Sequence, residues 1–289
     1  MKVELPRTIL GRTDLEITRF GIGGAYCESA DGYRTALDCG VNYVDTARSY
    51  RDGEDEKVIG KAIQGRRHSL VIASKTAKRD AKGARRELET SLRELKTDYL
   101  DLWQIHSVTS TEDLEKIFAP GGAIEAFEAA KKAGKCRFIG FTGHHDPAAH
   151  LKMLELYDKY DTILMPLNPA DPSYLSFERQ VLPKAVARGM GIQGMKSTAN
   201  AKLLQRFSAQ KCINYVLSLP IHCLALGCTT LGQIEDDART AQHHKQFTEN
   251  EMALVRHGAQ ELAGPRLEDW KRDNLTASNG GRDWDYLGG

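Results

Sequence analysis

Asn42-Tyr43-Val44-Asp45-Thr46-Ala47-Arg48-Ser49-Tyr50 reads as a short apolar strand that stops at a carboxylate and turns into a loop carrying a phenol. Two later stretches end the same way. Leu70-Val71-Ile72-Ala73-Ser74 closes on Lys75, and Tyr99-Leu100-Asp101-Leu102-Trp103-Gln104-Ile105 closes on His106. Short, nearly continuous apolar runs bounded by polar residues are the pattern of strands buried on both faces of a parallel sheet. An acid, an amine and an imidazole therefore mark the carboxyl ends of successive strands, with Tyr50 just beyond the first.

Outward from these strands, the chain keeps alternating. Arg7-Thr8-Ile9-Leu10 and Leu15-Glu16-Ile17-Thr18 flank the turn-forming Gly11-Arg12-Thr13-Asp14 and predict a small hairpin within residues 5–20. Phe20-Gly21-Ile22-Gly23-Gly24 is a short strand without the G-x-G-x-x-G spacing, so it is not read as a dinucleotide fingerprint. Helices are predicted over residues 32–39, 55–64, 82–95, 122–134, 147–160, 178–188, 205–219 and 231–242, with further strands over 137–142, 162–165, 191–195 and 221–226. Leu88, Leu92 and Leu95 share one face of the third helix. About eight strand–helix units imply an α/β fold, a (β/α)8 TIM barrel with a short N-terminal β-hairpin and a C-terminal extension from about residue 265. A doubly wound open sheet is the competing topology. No linker or repeat interrupts the pattern, so residues 1–289 are read as a single domain.

Composition narrows the function classes. Lys+Arg 40 against Asp+Glu 39 gives a formal charge of +1, and no clustered basic face points to nucleic acid. The longest apolar runs fall far short of the roughly 20 residues of a membrane span. Met1-Lys2-Val3-Glu4-Leu5-Pro6 has neither the apolar core nor the cleavage site of a signal peptide. Cysteines 27, 39, 136, 212, 223 and 228 lack C-x-x-C spacing and sit in apolar segments, as reduced, buried thiols do. A cytoplasmic location is the expectation. Nothing in the sequence indicates an oligomeric state.

In a barrel of this kind the active site lies at the C-terminal ends of the strands. Taken singly, Asp45 reads equally as a cap, Lys75 as a strand-end lysine, His106 as a core histidine and Tyr50 as loop packing. Taken together they form a proton relay. A phenol with a pKa of about 10 is a poor acid near neutrality. A neighbouring ammonium favours its ionised form, and a carboxylate keeps that ammonium charged. Tyr50 is then a general acid/base, and His106 a hydrogen-bond partner for a carbonyl oxygen.

Asp45-Thr46-Ala47-Arg48-Ser49-Tyr50, Lys75 after an apolar strand and Leu102-Trp103-Gln104-Ile105-His106 resemble the Asp–Tyr–Lys–His signatures of the aldo-keto reductase superfamily. Leu10-Gly11-Arg12-Thr13-Asp14-Leu15 and Gly134-Lys135-Cys136-Arg137-Phe138-Ile139-Gly140 are similar too, and the likeness runs in order through about residues 5–240. It implies an oxidoreductase using NADP(H) by preference, with NAD(H) as the alternative, on a small carbonyl or alcohol, without metal or flavin. It further implies that Asp45, Tyr50, Lys75 and His106 are catalytic. Gly24 and Ala25 after the first strand, Asp45, Thr142, Gly143, Leu164, Met195, Lys196 and Ser197 would face the cofactor.

The resemblance departs from the family pattern in places. Thr142-Gly143 stands for the usual Ser-Asn, Leu164 for the usual Gln, and Met195-Lys196-Ser197 for the frequent Tyr-Ser-Pro, a substitution typical of one branch. Gly227-Cys228-Thr229-Thr230 with Gln233, Asp236 and Asp237 resembles the segment that holds the adenosine phosphates, where backbone amides at a helix N-terminus bind anions. Gly227 and Gln233 replace cations common in NADPH-dependent members, which leaves Lys196 or Lys202 to meet a 2′-phosphate. Tyr26, His106, His144 and, in the C-terminal extension, Trp284 are the candidate substrate contacts; Tyr286 is a further candidate there. His144-His145-Asp146 reads as a helix start before Pro147, not as a metal site. Two rival functions share these residues: a Schiff-base aldolase using Lys75, and a nicotinamide-binding sensor or interaction subunit without significant turnover.

Overall fold

Two short strands, β1 (Arg7–Ile9) and β2 (Glu16–Thr18), pair antiparallel with Ile9 opposite Glu16. The computed structural model describes residues 4–271 of the 289-residue chain. Eight parallel strands follow: β3 (Phe20–Gly23), β4 (Tyr43–Asp45), β5 (Val71–Thr76), β6 (Leu100–Ile105), β7 (Cys136–Thr142), β8 (Thr162–Pro166), β9 (Gly191–Met195) and β10 (Cys223–Gly227). They close in sequence order, β10 returning to pair with β3. The (β/α)8 barrel and its N-terminal hairpin are therefore present as the alternation predicts.

The helices are α1 (Ala30–Asp38), α2 (Glu54–Ala62), α3 (Ala81–Leu95), α4 (Thr111–Phe118), α5 (Ala123–Lys132), α6 (Pro147–Leu156), α7 (Phe177–Gln180), α8 (Leu182–Ala187), α9 (Ala209–Leu217), α10 (Leu231–Gln242) and α11 (Glu249–Gln260). Several begin at a short polar side chain that accepts a first-turn amide, Asp80 for α3 and Ser208 for α9 among them. The single helix predicted over 178–188 is instead two, α7 and α8. Pro183 lacks an amide and its ring collides with the carbonyl four residues earlier. The helix predicted from residue 205 starts at Ala209, where Ser208 caps it. Two helices, α4 and α11, fall outside the predicted set; α11 opens on a reciprocal capping box between Thr248 and Glu251.

Side-chain alternation along the strands divides the core. Residues such as Ile72, Trp103, Ile139 and Ile163 face the helices, and Trp103 stacks on Phe127 of α5 at 3.8 Å between ring centroids. Inside the barrel, Leu10, Leu15 and Ile17 of the hairpin pack on Tyr43, Val71 and Leu102 and seal the floor. Burying each of these aliphatic side chains contributes about 1.5–3 kcal/mol. The same alternation that puts Tyr43 and Ala73 inside puts Asp45 and Lys75 inside, two residues nearer the mouth. All six cysteines are buried and unpaired. Among the described residues no helix is long and apolar enough to cross a membrane.

The hairpin turn touches the barrel through Gly11, at φ +55°, where an added Cβ would lie 2.2 Å from the Gly191 amide nitrogen. Gly11→Ala is expected to cost about 2–4 kcal/mol, the backbone term plus overpacking against a main chain that cannot move aside. Gly65, at φ +74° with open space around it, is the control: Gly65→Ala should cost only about 1 kcal/mol. Urea denaturation of the two variants measures the difference, and equal losses would refute the packing argument.

Candidate active site

Lys75 projects from β5 into the barrel mouth and is 1% exposed. Its Nζ donates to Asp45 Oδ2 at 2.6 Å and to the Thr46 carbonyl at 2.8 Å, and lies 3.4 Å from the Tyr50 hydroxyl. Burial pushes the Asp45 carboxyl up, and the Lys75 ammonium opposes that rise. His106, the residue after β6, turns its ring edge-on to Tyr50 with centroids 5.6 Å apart. The acid, phenol, amine and imidazole read from the strand ends are thus brought into one cluster. A phenol beside a paired ammonium, next to an imidazole, can exchange a proton with a bound oxygen.

Two acids that the sequence reading passes over shape the loop carrying Tyr50. Asp55, fully buried in α2, accepts from Thr46 Oγ1 at 2.5 Å and Tyr33 Oη at 2.7 Å. Its neighbour Glu56 pairs with Arg48 and accepts from Ser74 Oγ at 2.6 Å. Burial raises both carboxyls, and these hydrogen bonds offset part of the rise. The signal lay in Thr46 and Arg48, polar side chains in an apolar setting that require partners. Backbone strain gathers at the same end of the barrel. Among the described residues, every non-glycine residue at positive φ except Lys96 (Ala25, Arg51, Asp52, Ser107, Leu175, Lys196 and residues 199–201) lies in a loop leaving the C-terminal end of a strand. Such conformations cost about 1–3 kcal/mol each and cluster at functional sites.

The sequence model of the Aldo/keto reductase family matches residues 23–215. The chain belongs to that family. YqkF, an uncharacterized oxidoreductase of Bacillus subtilis, is 27% identical over 301 aligned positions, spanning 94% of this chain and 91% of that protein. The holo form of an aldo-keto reductase from Bacillus halodurans superposes with a TM-score of 0.76 at 21% identity, over 92% of this chain and 100% of that one. An aldo-keto reductase from Klebsiella pneumoniae in complex with NADPH gives 0.74 at 21% identity, over 89% and 96%. These two structures share the fold.

The residues that the sequence offers as cofactor contacts are distributed around the mouth. Gly24 abuts the tetrad: its amide donates to the Asp45 carbonyl at 2.7 Å, and an added Cβ would sit 3.0 Å from the Tyr50 ring. Thr142 is buried at the end of β7. At Gly143 a side chain has no room, since a Cβ would lie 2.5 Å from the Val108 carbonyl oxygen and 2.9 Å from His150 Cε1. His150 is fully enclosed, and burial lowers its pKa to about 3. His144 is also buried, close enough to His150 to oppose its protonation. Asp146 caps α6 through Ala148 N at 2.8 Å. Leu164 is 2% exposed; Ser197 is 1% exposed, with an Oγ that has no hydrogen-bond partner among the described residues.

At the β10 end, Tyr26 stands beside the turn after the last strand. Its ring covers Gly227, filling the space of a Cβ, and borders a cleft of about 460 Å³ lined also by Cys228, Thr229 and Thr230. Thr230 caps α10 through Gln233 N at 3.1 Å, and Gln233 Oε1 accepts from Thr229 N at 3.0 Å. The N-terminus of a 12-residue helix thus opens beside a cleft, a setting that fits a phosphate. Asp236 pairs with Arg239 on the surface, whereas Asp237 turns inward to the Cys228 thiol at 3.5 Å.

The end of the described chain ties three mouth loops together. Lys271 Nζ, fully buried, meets Asp171 Oδ1 at 2.8 Å, Glu268 Oε1 at 2.9 Å and the Tyr174 carbonyl at 2.6 Å. Trp270 lies under Lys196 Nζ at 4.7 Å, and its carbonyl meets His145 Nδ1 at 3.3 Å. Lys202 pairs with Asp269 at 2.6 Å. Trp284 and Tyr286 lie outside the described residues.

Burial pushes the Asp237 carboxyl up to about 6, the Cys228 thiol opposing and Asp236 adding to the rise. A carboxyl that holds its proton more tightly folded than unfolded contributes stability below about pH 4 and loses it as pH rises through the folded value. Asp237→Asn should therefore gain about 1–3 kcal/mol over the natural chain near pH 7.5 and almost nothing at about pH 3. Denaturation at the two pH values measures this, and a pH-independent gain would count against it.

Proposed function

We propose that this chain is a nicotinamide-dependent oxidoreductase that interconverts a small carbonyl and its alcohol, with NADP(H) preferred. The observation that carries the reading is the contact of Lys75 with both Asp45 and Tyr50, beside His106. The dinucleotide, when bound, supplies or accepts hydride at nicotinamide C4. Thr142, Met195, Lys196 and Ser197 would hold its nicotinamide end, and the 227–230 turn with the α10 N-terminus its phosphates. In the reducing direction Tyr50 gives its hydroxyl proton to the carbonyl oxygen as negative charge develops there. The Lys75 ammonium stabilises the phenolate left behind, Asp45 keeps that ammonium charged, and His106 orients the substrate oxygen. The oxidising direction runs the proton back to Tyr50.

The preference for NADP(H) is supported by the NADPH-bound Klebsiella pneumoniae relative and by Lys196 and Lys202 as cations able to meet a 2′-phosphate. Lys202 would exchange Asp269 for that phosphate. We read the chain as one barrel domain, and its six buried free thiols support a cytoplasmic setting. An aldolase role for Lys75 is disfavoured, because its ammonium is engaged by Asp45 and the Thr46 carbonyl.

Oxidation of NADPH and NADH over a panel of aldehydes and ketones tests the reaction. Tyr50→Phe should lower kcat by about 10²–10⁴-fold while leaving nucleotide affinity unchanged, and a folded variant with full turnover would sink the assignment. Lys202→Ala should weaken NADPH and spare NADH. Equal or tighter binding of NADH by the natural chain would overturn the cofactor preference.

A further inference from the structure

The loop after β4 brings one more side chain to the tetrad. Ser49 Oγ lies 3.3 Å from His106 Nδ1. The backbones at both ends of this contact are fixed by other means. His106 N donates to the Thr76 carbonyl at 2.9 Å, and the His106 carbonyl accepts from Arg79 Nη1 at 2.8 Å. Arg79 is in turn held by Asp113 at 3.0 Å. On the other side, Arg48 N donates to the Lys75 carbonyl at 3.0 Å and Tyr50 N to the Ala47 carbonyl at 3.1 Å. With both main chains pinned, the hydroxyl acts on the imidazole ring itself: on its rotation and on which nitrogen carries the proton.

That second effect has chemical weight. A neutral imidazole has one donor and one acceptor nitrogen, and the hydrogen bond at one of them decides the state of the other. A hydroxyl that donates to Nδ1 puts the ring proton on Nε2, which then presents N–H. A hydroxyl that accepts from Nδ1–H makes Nε2 an acceptor, which repels the lone pairs of a carbonyl oxygen. Only the first arrangement suits an imidazole that orients a carbonyl.

We propose that Ser49 is a positioning residue whose hydroxyl donates to His106 Nδ1 and so fixes the Nε2–H tautomer. The contact itself is geometric; the choice of donor direction and its effect on rate rest on the carbonyl-reductase reading above. The serine hydroxyl can rotate to serve as donor, and threonine keeps this capacity while alanine loses it.

The test is ¹⁵N NMR of the histidine side chains in the full chain at about pH 8, for the natural protein, Ser49→Ala and Ser49→Thr, alongside kinetics. The natural protein should show His106 neutral, unprotonated at Nδ1 and protonated at Nε2. Ser49→Ala should redistribute the proton toward Nδ1 and lower kcat about 5- to 20-fold, the loss of one hydrogen bond to a reacting group, with nucleotide dissociation constants unchanged. Ser49→Thr should restore both. A natural protein carrying Nδ1–H, or a charged ring, overturns the proposal, as does an unchanged tautomer in a folded Ser49→Ala. The expected tautomers in a chain that turns over no carbonyl would support Ser49's positioning role and remove the reductase reading.

Discussion

An ammonium enclosed in a barrel must have a counter-charge, and Lys75 organises the mouth of this one. Removing a charged amine from water is among the most costly events in folding unless the charge is paired and its protons are bonded. Asp45 and the Thr46 carbonyl meet that demand from the neighbouring strand, leaving the third direction toward Tyr50. Asp45 is itself buried, so the pair is stable only as a pair. The Thr46 side chain is secured from outside the barrel by Asp55, and Arg48 by Glu56. The chemistry of the mouth is thus held by successive layers of polar contacts reaching from β5 to α2.

Much of this was legible because parallel strands closed into a barrel bring their carboxyl ends to one face. Once Asp45, Lys75 and His106 are recognised as strand ends, their convergence follows without any long-range information. What stayed hidden depends on contacts between residues distant in sequence. Gly143 looks like a lost side chain until Val108 and His150 are seen to occupy its space. Tyr26 reads as a pocket wall, but only the fold shows that its ring lies on Gly227 beside the β10 cleft. Asp55 and Glu56 read as ordinary acids of a helix start, and only the fold turns them inward. Pro183, by contrast, carried a local signal strong enough to break the predicted helix.

The two ends of the barrel solve different problems. At the floor, hairpin aliphatics fill the interior and Gly11 allows the main chains to touch. That end is built for packing. At the mouth, interior positions are polar, and left-handed backbone recurs in loop after loop. This chain places its packing at one end and, at the other, residues whose conformations cost energy.

The fully buried meeting of Asp171 with Lys271 joins residues 100 positions apart. On a ribosome, the loop after β8 emerges long before its partner. Until residue 271 has left the exit tunnel, Asp171 and Glu268 lack their ammonium, and Lys196 and His145 lack Trp270. The strands can pair earlier in synthesis, but these contacts form only once residues 268–271 have emerged. A nascent chain of this protein would therefore acquire its barrel before these ties across its mouth.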